Sequence, residues 1–230
     1  MRLDKYISHF AGLSRKEARR AIKAGLVTVA HHAATDPGTE VTPAAPVTMH
    51  GRPVQPLGPR YFMLHKPAGV VCANSDSHHA TVMELLAEED PRDLHVAGRL
   101  DRDTTGLVLI TDDGQWSHRI TSPRHKLPKR YRVTLRDPVS DQAAEQFAAG
   151  LLLHGEQRPT RPARLWIQSP RQVELELLEG RYHQVKRMFA ALGNAVETLH
   201  RQRIGPIELD PTLAPGEYRP LRPEELQQLS

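Results

Sequence analysis

The stretch that decides the fold is Gly98-Arg99-Leu100-Asp101-Arg102-Asp103-Thr104-Thr105-Gly106, which runs directly into Leu107-Val108-Leu109-Ile110. The apolar run predicts a short buried strand, because it is rich in β-prone side chains and is closed by the turn residues Asp112-Asp113-Gly114. A scaffold can hold polar residues at the mouth of such a strand against a substrate. Taken as a pair, however, Asp101 and Asp103 are more typical of an ordinary loop in which carboxylates make Asx turns or caps.

Length and composition limit the class of protein. A chain of 230 residues can form one domain with a small appendage or two modest domains, and 39% hydrophobic with 25% charged residues is typical of a soluble globular protein. No apolar run approaches the roughly 20 residues that span a bilayer. The first residues, Met1 to Lys5, lack the apolar core of a signal peptide, so we expect a cytoplasmic protein without membrane association. The single cysteine, Cys72, excludes an internal disulfide, and we expect it to be a small apolar residue in a strand.

The distribution of positive charge carries more information than the formal net charge of +4. Basic residues form three clusters along the chain: Arg15, Lys16, Arg19, Arg20 and Lys23; Arg124, Lys126, Lys129, Arg130 and Arg132; and Arg181, Lys186, Arg187, Arg201 and Arg203. Taken alone, each cluster is explained equally well as a solvent-exposed face and as a binding surface. Three together favour a polyanionic partner, because phosphate contacts supply most nonspecific affinity for nucleic acid.

The N-terminal part predicts a small separate domain. Apolar residues at helical spacing predict a first helix that ends at Gly12, and Ser14 with Glu17 forms a capping box that begins a second. A strand is expected from Leu26 to Val29, with a return strand at Val47-Thr48-Met49. The proline-rich stretch Pro53 to Pro59 is typical of a semi-rigid linker, so we place the domain boundary between residues 58 and 59.

From Arg60 onward the pattern is mostly strands with interspersed helices. Strands are predicted at Tyr61 to His65, Val70 to Ala73, His95 to Arg99, Leu107 to Thr111, Arg130 to Leu135, Ala163 to Gln168, Val173 to Leu178 and Ala195 to Arg203. Helices are predicted near Thr81 to Ala87, Gln115 to Thr121, Asp141 to Ala149, Tyr182 to Leu192 and Glu224 to Leu229. Consecutive strands with short connections indicate a largely antiparallel sheet and an α+β fold.

The stretch around Asp101 resembles the signature of the pseudouridine synthases, in the RsuA branch that modifies ribosomal RNA, and the resemblance extends over the whole chain. The segments Arg2 to Lys5, Ser14 to Ala18 and Gly25 to Val29 resemble an S4 RNA-binding domain. The resemblance implies an S4 domain and linker at 1–58, then a pseudouridine synthase fold with a mixed, largely antiparallel central sheet at 59–230. Many S4 domains carry an Asn-Gly hairpin where this chain has Ala30-His31-His32, so the resemblance does not predict the geometry of that turn.

The resemblance also implies roles for individual residues. The aspartate after Arg99-Leu100 is the nucleophile in this family, which assigns the role to Asp101, with Arg99 and Leu100 as supporting residues. Tyr131, which alone is more typical of a core aromatic, would stack on the target uracil and help to remove the C5 proton. The basic residue of Gly180-Arg181-Tyr182-His183-Gln184-Val185-Lys186-Arg187 pairs with the nucleophile; this is Lys186, and Arg187 remains an alternative.

RNA contacts are expected from the basic residues of the second helix and of the segment before and at Tyr131: Arg15, Lys16, Arg19, Arg20, Lys23, Arg124, Lys129 and Arg130. The thirteen histidines lack zinc-ligand spacings, so we expect no metal site. Moving the ribose from N1 to C5 of the base involves no redox change, so we expect no cofactor.

The resemblance therefore implies an isomerase that converts one uridine of ribosomal RNA to pseudouridine. The tracts Gly58 to Pro67 and Asp113 to His125 resemble the small-subunit branch of the family, which implies 16S RNA as the substrate. We expect a monomer that acts on free RNA or on a partly assembled small subunit. Three alternatives remain: a relative that modifies 23S RNA, a non-catalytic RNA-binding assembly factor, and a magnesium-dependent nuclease that uses Asp101, Asp103, Asp112 and Asp113.

Overall fold

A computed structural model of the protein describes residues 1–42, 45–54, 58–122 and 127–229. The chain divides into two compact units, Met1–Gly58 and Pro59–Ser230. No helix within these described ranges is both long and apolar enough to cross a bilayer.

The first unit packs two helices against a small antiparallel sheet. Its elements are α1 (Leu3–Phe10), α2 (Arg15–Lys23), β1 (Val27–Val29), β2 (His32–Ala33), β3 (Val47–Met49) and β4 (Arg52–Pro53). The strand order is β2-β1-β3-β4. The predicted capping box is confirmed, because the Ser14 hydroxyl accepts from the Glu17 amide while the Glu17 carboxylate accepts from the Ser14 amide. Leu3, Ile7, Ile22 and Val27 are buried in its core.

The turn that replaces an Asn-Gly hairpin still forms a tight hairpin. Ala30 and His31 both have positive φ, +48° and +68°, which is the pattern of a type I′ turn between β1 and β2. His50 and Gly51 repeat the same signs between β3 and β4. Pairing of β1 with β2 and β3 thus holds two ordinary residues in the left-handed region, at some conformational cost.

The second unit is built around one large sheet. Its elements are β5 (Tyr61–Lys66), β6 (His95–Val96), β7 (Thr105–Thr111), α3 (Gly114–Thr121), β8 (Lys129–Leu135), α4 (Ala143–Ala149), β9 (Arg164–Ser169), β10 (Gln172–Leu177), α5 (Gln184–Ala191), β11 (Val196–Ile204), β12 (Ile207–Glu208), β13 (Tyr218–Pro220) and α6 (Pro223–Gln227). The strand order is β13-β5-β7-β11-β8-β10-β9, with β6 paired to β7 and β12 to β11. The β7–β11 pair is parallel and the other pairs are antiparallel, which confirms the predicted mixed α+β fold.

Strand β7 is the predicted apolar run, and it is buried on both faces. Leu107 and Leu109 face one core together with Trp116, whereas Val108 and Ile110 face the core that also contains Tyr131 and α5. Burial on both faces explains why the sequence shows an unbroken apolar run instead of alternation. It also fixes the position of the polar loop that precedes the strand.

Three predictions of local structure are wrong. Val70 to Ala73 forms only a one-residue bridge from Val71 to Thr81, and the predicted helix from Thr81 is a short 3-10 turn, Glu84–Leu86. The predicted strand from His95 stops at Val96, because Gly98 turns the chain away with φ +101°. β12 and β13 were not predicted, since each is only two or three residues long.

Gly106 permits the parallel pairing of β7 with β11. Its φ is +108°, and a Cβ placed there would lie 2.2 Å from the backbone oxygen of Arg201. Gly106 and Arg201 are register partners across this pair. A side chain at position 106 would therefore push apart the two strands next to the polar loop.

We predict that Gly106→Ala lowers the free energy of unfolding by about 3 kcal/mol or more, because it adds a backbone clash to the strain of positive φ. Gly216→Ala is the matched control, since Gly216 has φ +95° but open space around its Cβ position. The control should lose about 1–2 kcal/mol. Urea unfolding of both variants measures the difference, and equal losses would contradict the close approach.

Candidate active site

A cavity of about 630 Å³ opens in the second unit where the three sequence motifs meet. Its lining includes Asp101 from the loop before β7, Tyr131 from β8, and Lys186 from α5. These residues are far apart in sequence. The sheet order β7-β11-β8 brings the first two together, and α5 lies against β11. The cavity is lined by both polar and apolar groups, as expected of a small-molecule site.

The loop that carries Asp101 is held at its start by Arg201, a residue of β11 that is only 1% exposed. Its guanidinium donates hydrogen bonds to the carbonyl oxygens of Gly98 at 2.8 Å, Arg99 at 3.3 Å and Leu107 at 2.8 Å. No carboxylate of the described residues lies within salt-bridge distance of Arg201. A buried guanidinium that binds only carbonyl dipoles fixes the backbone on both sides of the loop.

A second buried cation holds the far end of the same loop. Lys66 of β5 is fully buried, and its ammonium donates to the carbonyl oxygens of Arg102 at 3.2 Å, Thr104 at 2.7 Å and Pro67 at 2.9 Å. Burial lowers the pKa of Lys66 below its usual value. Cys72 is buried as expected but lies outside any strand, and its Sγ accepts from the Leu100 amide at 3.3 Å.

Asp101 is partly exposed to the cavity and lies close to two basic side chains. Its Oδ1 is 3.4 Å from His183 Nε2, and its Oδ2 is 4.0 Å from Lys186 Nζ. Lys186 is much closer to Asp103, at 2.6 Å from both carboxylate oxygens. This hydrogen bond from Lys186 is the main reason that the pKa of Asp103 is lowered. The ammonium therefore lies between two carboxylates and contacts Asp103 directly.

The other predicted supporting residues are placed differently. Arg187 points away from Asp101 and binds the Glu156 carboxylate at 2.9 Å and the His154 carbonyl at 2.9 Å. Leu100 is buried in the core, and Arg99 has an exposed side chain at the cavity. Of the two candidate basic partners, Lys186 is thus the one that reaches Asp101.

Tyr131 is 8% exposed and lines the cavity on the same face of β8 as Lys129. Lys129 donates to the Leu127 carbonyl at 3.1 Å, and no carboxylate of the described residues lies within salt-bridge distance. Burial, and to a smaller extent the charge of Arg201, lowers the pKa of Lys129 to about 8. Lys129 is therefore a cation inside the cavity, whereas the sequence predicted it only as one RNA-contacting residue of the second basic cluster.

The segment that leads into α5 is held by residues that sequence reasoning missed. The buried Gln184 accepts from the Arg181 amide at 2.8 Å and donates to the Glu179 carboxylate at 2.7 Å. His183, at the N-terminal end of α5, has φ +49°, an unusual value for a non-glycine residue. The Gln of the His-Gln-Val motif was the signal, but its partner Glu179 lies outside the matched motif.

The basic clusters of the sequence differ in how many of their side chains lie beside a carboxylate. On α2, Lys16, Arg20 and Lys23 are exposed, while Arg15 and Arg19 lie beside the buried Asp4 at 3.4 and 3.0 Å. Hydrogen bonds from Arg2 and Arg19 and the charge of Arg15 hold the pKa of Asp4 at about 2. Arg130 lies over the Trp166 ring at 4.2 Å and beside Glu174. Arg124 and Lys126, with His125, lie outside the described residues.

The third basic cluster is not a free surface. Arg201 is buried, Arg181 pairs with Glu156 and Glu179, Arg187 pairs with Glu156, and Arg203 pairs with Glu176. The charges of these four residues are therefore met within the protein, by carboxylates or, for Arg201, by carbonyl oxygens. Charge counting along a sequence cannot detect partners from distant strands.

The carboxylates that a nuclease would need do not converge. Asp112 accepts from the Arg60 amide and guanidinium at 2.8 Å, and Asp113 caps α3 and accepts from the Tyr61 hydroxyl. Across the described part of the chain, no group of three or more His, Cys, Asp or Glu side chains is arranged to hold a metal ion. The geometry gives no support to the four-aspartate arrangement.

Comparison with known proteins assigns the chain to a family. The family described as RNA pseudouridylate synthase matches residues 60–191, and the S4 domain matches residues 1–47. The ribosomal small subunit pseudouridine synthase A of Escherichia coli K12 is 56% identical over 227 residues, which cover 98% of each chain. The protein of the same name from Vibrio cholerae is 54% identical over 226 residues, again 98% of each chain.

A solved structure agrees with these sequence matches. A crystal structure of a pseudouridylate synthase covers 100% of both chains with 46% sequence identity and a TM-score of 0.72. The resemblance inferred from the sequence is thus confirmed for both parts of the chain. The chain belongs to the RNA pseudouridylate synthase family, whose members are isomerases, and it joins the synthase domain to an N-terminal S4 domain.

Proposed function

We propose that this enzyme converts a single uridine of 16S ribosomal RNA to pseudouridine, with Asp101 as the nucleophile. The observation that carries the proposal is the convergence of Asp101, Tyr131 and Lys186 on one cavity. The names of the similar proteins, which are small-subunit pseudouridine synthases at more than 50% identity, support 16S RNA as the substrate over 23S RNA.

The reaction exchanges bonds within one nucleotide. The bond from ribose C1′ to N1 breaks, a bond from C1′ to C5 forms, the C5 proton leaves, and N1 gains a proton. The carboxylate of Asp101 attacks either C1′ of the ribose or C6 of the base, and it is released when the new bond is complete. Electrons balance without an oxidant or reductant, so the chemistry requires no redox cofactor.

Tyr131 and Lys186 support this step in different ways. The ring of Tyr131 offers a stacking surface for uracil, which tolerates rotation of the base because stacking does not depend on a fixed hydrogen-bond pattern. Lys186 Nζ, 4.0 Å from Asp101 Oδ2, places a positive charge beside the carboxylate of the proposed nucleophile. Asp103 binds Lys186 directly and therefore acts as a positioning residue for that ammonium.

The target uridine must leave its stack to reach a cavity of this kind. The exposed cations of α2, Lys16, Arg20 and Lys23, provide phosphate contacts in the S4 domain, and Arg15 and Arg19 are held in place by Asp4. We propose a monomer that acts in the cytoplasm on free RNA or on a partly assembled small subunit. The domain boundary at residues 58 and 59 separates this RNA-binding part from the catalytic part.

We predict that Asp101→Asn lowers the single-turnover rate on a 16S transcript by at least about 10³-fold, because an amide cannot act as the nucleophile. Asp103→Asn is the matched control, two residues away in the same loop. It should lose less than about 10-fold, because an exposed ion pair contributes little. Conversion is read by chemical mapping of pseudouridine. A larger loss for Asp103→Asn than for Asp101→Asn would contradict Asp101 as the nucleophile. Wild-type turnover of a 23S transcript but not of a 16S transcript would contradict 16S RNA as the substrate.

Lys129 provides a pH test of the cavity. We propose that its ammonium donates to the target nucleotide, since it lies inside the cavity on the face of Tyr131 and has no carboxylate partner among the described residues. The charged and titratable groups that line the same cavity are Arg99, Asp101, Tyr131, Glu179, Arg181, Tyr182, His183, Lys186 and Arg201.

We predict that RNA affinity falls as pH rises through about 8, because the pKa of Lys129 is lowered to about 8 and the ammonium is then lost. Lys129→Arg is the control. Its guanidinium stays charged throughout this range, so the fall in RNA affinity near pH 8 should be absent from this variant. Binding of a 16S fragment to each protein, measured from about pH 6.5 to 9, reports the difference. The same step in both proteins would assign it to another group.

A further inference from the structure

Tyr182 is the most exposed large apolar side chain of the described residues, at 77%, and it lies at the edge of the active-site cavity. One face of its ring stacks on His183, with centroids 3.8 Å apart and planes inclined by 19°. No other aromatic ring of the described residues contacts Tyr182. The outer face of the ring is thus available to a planar group.

The stacked pair is fixed close to the reacting group. His183 Nε2 lies 3.4 Å from Asp101 Oδ1, and the Tyr182 carbonyl accepts from Arg187 Nη1 at 3.2 Å. The backbone of His183 is in the left-handed region, with φ +49°. Strained backbone of this kind concentrates at functional sites, where the surrounding contacts hold it in place.

An RNA strand whose uridine occupies the cavity must continue past the edge in both directions. The bases next to the target lose their stacking partner when the uridine leaves the helix. An exposed aromatic ring at the edge restores that partner, since every base has a π-face. Tyr182 offers such a surface at the edge of the cavity.

We propose that the stacked pair Tyr182–His183 is a platform on which the base next to the target uridine stacks. The platform sets the register of the RNA strand, so that the correct uridine reaches Asp101. This inference rests on the proposed function, because it takes RNA as the occupant. It adds a contact that determines which nucleotide enters the cavity.

The test compares Tyr182→Ala, Tyr182→Leu, Tyr182→Phe and Tyr182→Trp in the full-length protein with a 16S fragment. Tyr182→Ala should weaken RNA binding by about 5- to 150-fold, which is the range for loss of one base–aromatic stack. It should raise the half-saturating RNA concentration more than it lowers the maximal rate. Phe and Trp keep the π-face and should bind nearly as wild type, whereas Leu keeps apolar bulk and should behave as Ala. Leu152→Ala is the control, because Leu152 is exposed but does not line the cavity.

A second set of RNAs carries an abasic nucleotide at each position next to the target. In the wild type, one abasic position should weaken RNA binding by the same factor as Tyr182→Ala. In the Tyr182→Ala protein, an abasic nucleotide at that position should weaken RNA binding no further. Binding is measured by fluorescence anisotropy, so this coupling is read independently of turnover. Tight binding without conversion by the wild type would overturn the proposed function alone. Equal abasic losses in both proteins, or a Leu variant equal to Phe, would overturn the platform.

Discussion

The buried guanidinium of Arg201 is the interaction on which the site depends. It joins β11 to the carbonyl oxygens of Gly98 and Arg99 on one side and of Leu107 on the other, so the loop that carries Asp101 is tied to the centre of the sheet. Lys66 fixes the far end of the loop from β5 in the same manner. Both cations donate charge-assisted hydrogen bonds to carbonyl oxygens, and such bonds are stronger than hydrogen bonds between two neutral groups.

This arrangement requires β7 and β11 to approach closely. Gly106 supplies the space, because its lack of a Cβ lets the backbone of Arg201 pass at a distance that no other residue would permit. β7 is itself buried on both faces, so the loop that precedes it ends at a firmly packed strand. The backbone on each side of Asp101 is therefore held by the protein itself, and under the proposed function this reduces the entropy lost in reaching a reactive geometry. Asp101, Lys186 and Tyr131 then line one cavity beside this held backbone.

Local features of this fold could be predicted from the sequence, and features that depend on distant partners could not. The capping box at Ser14, the apolar strand from Leu107 and the helix that contains Lys186 rest on neighbouring residues, and each is confirmed. The burial of Arg201 and Lys66 could not be inferred, because the pattern of a strand does not show which carbonyl oxygens it will meet. For the same reason the sequence missed that Lys186 contacts Asp103 more closely than Asp101.

The most direct test of this account is the effect of Arg201→Met on catalysis and on the loop. Arg203→Met is the control, two residues along β11, where the guanidinium binds Glu176 and not the loop. We expect the amide hydrogens of residues 98–104 to exchange faster in Arg201→Met than in wild type, and the maximal single-turnover rate to fall by at least about 10²-fold. The control should change neither quantity by more than about 3-fold. A folded Arg201→Met protein with wild-type rate and wild-type exchange in the loop would contradict the account.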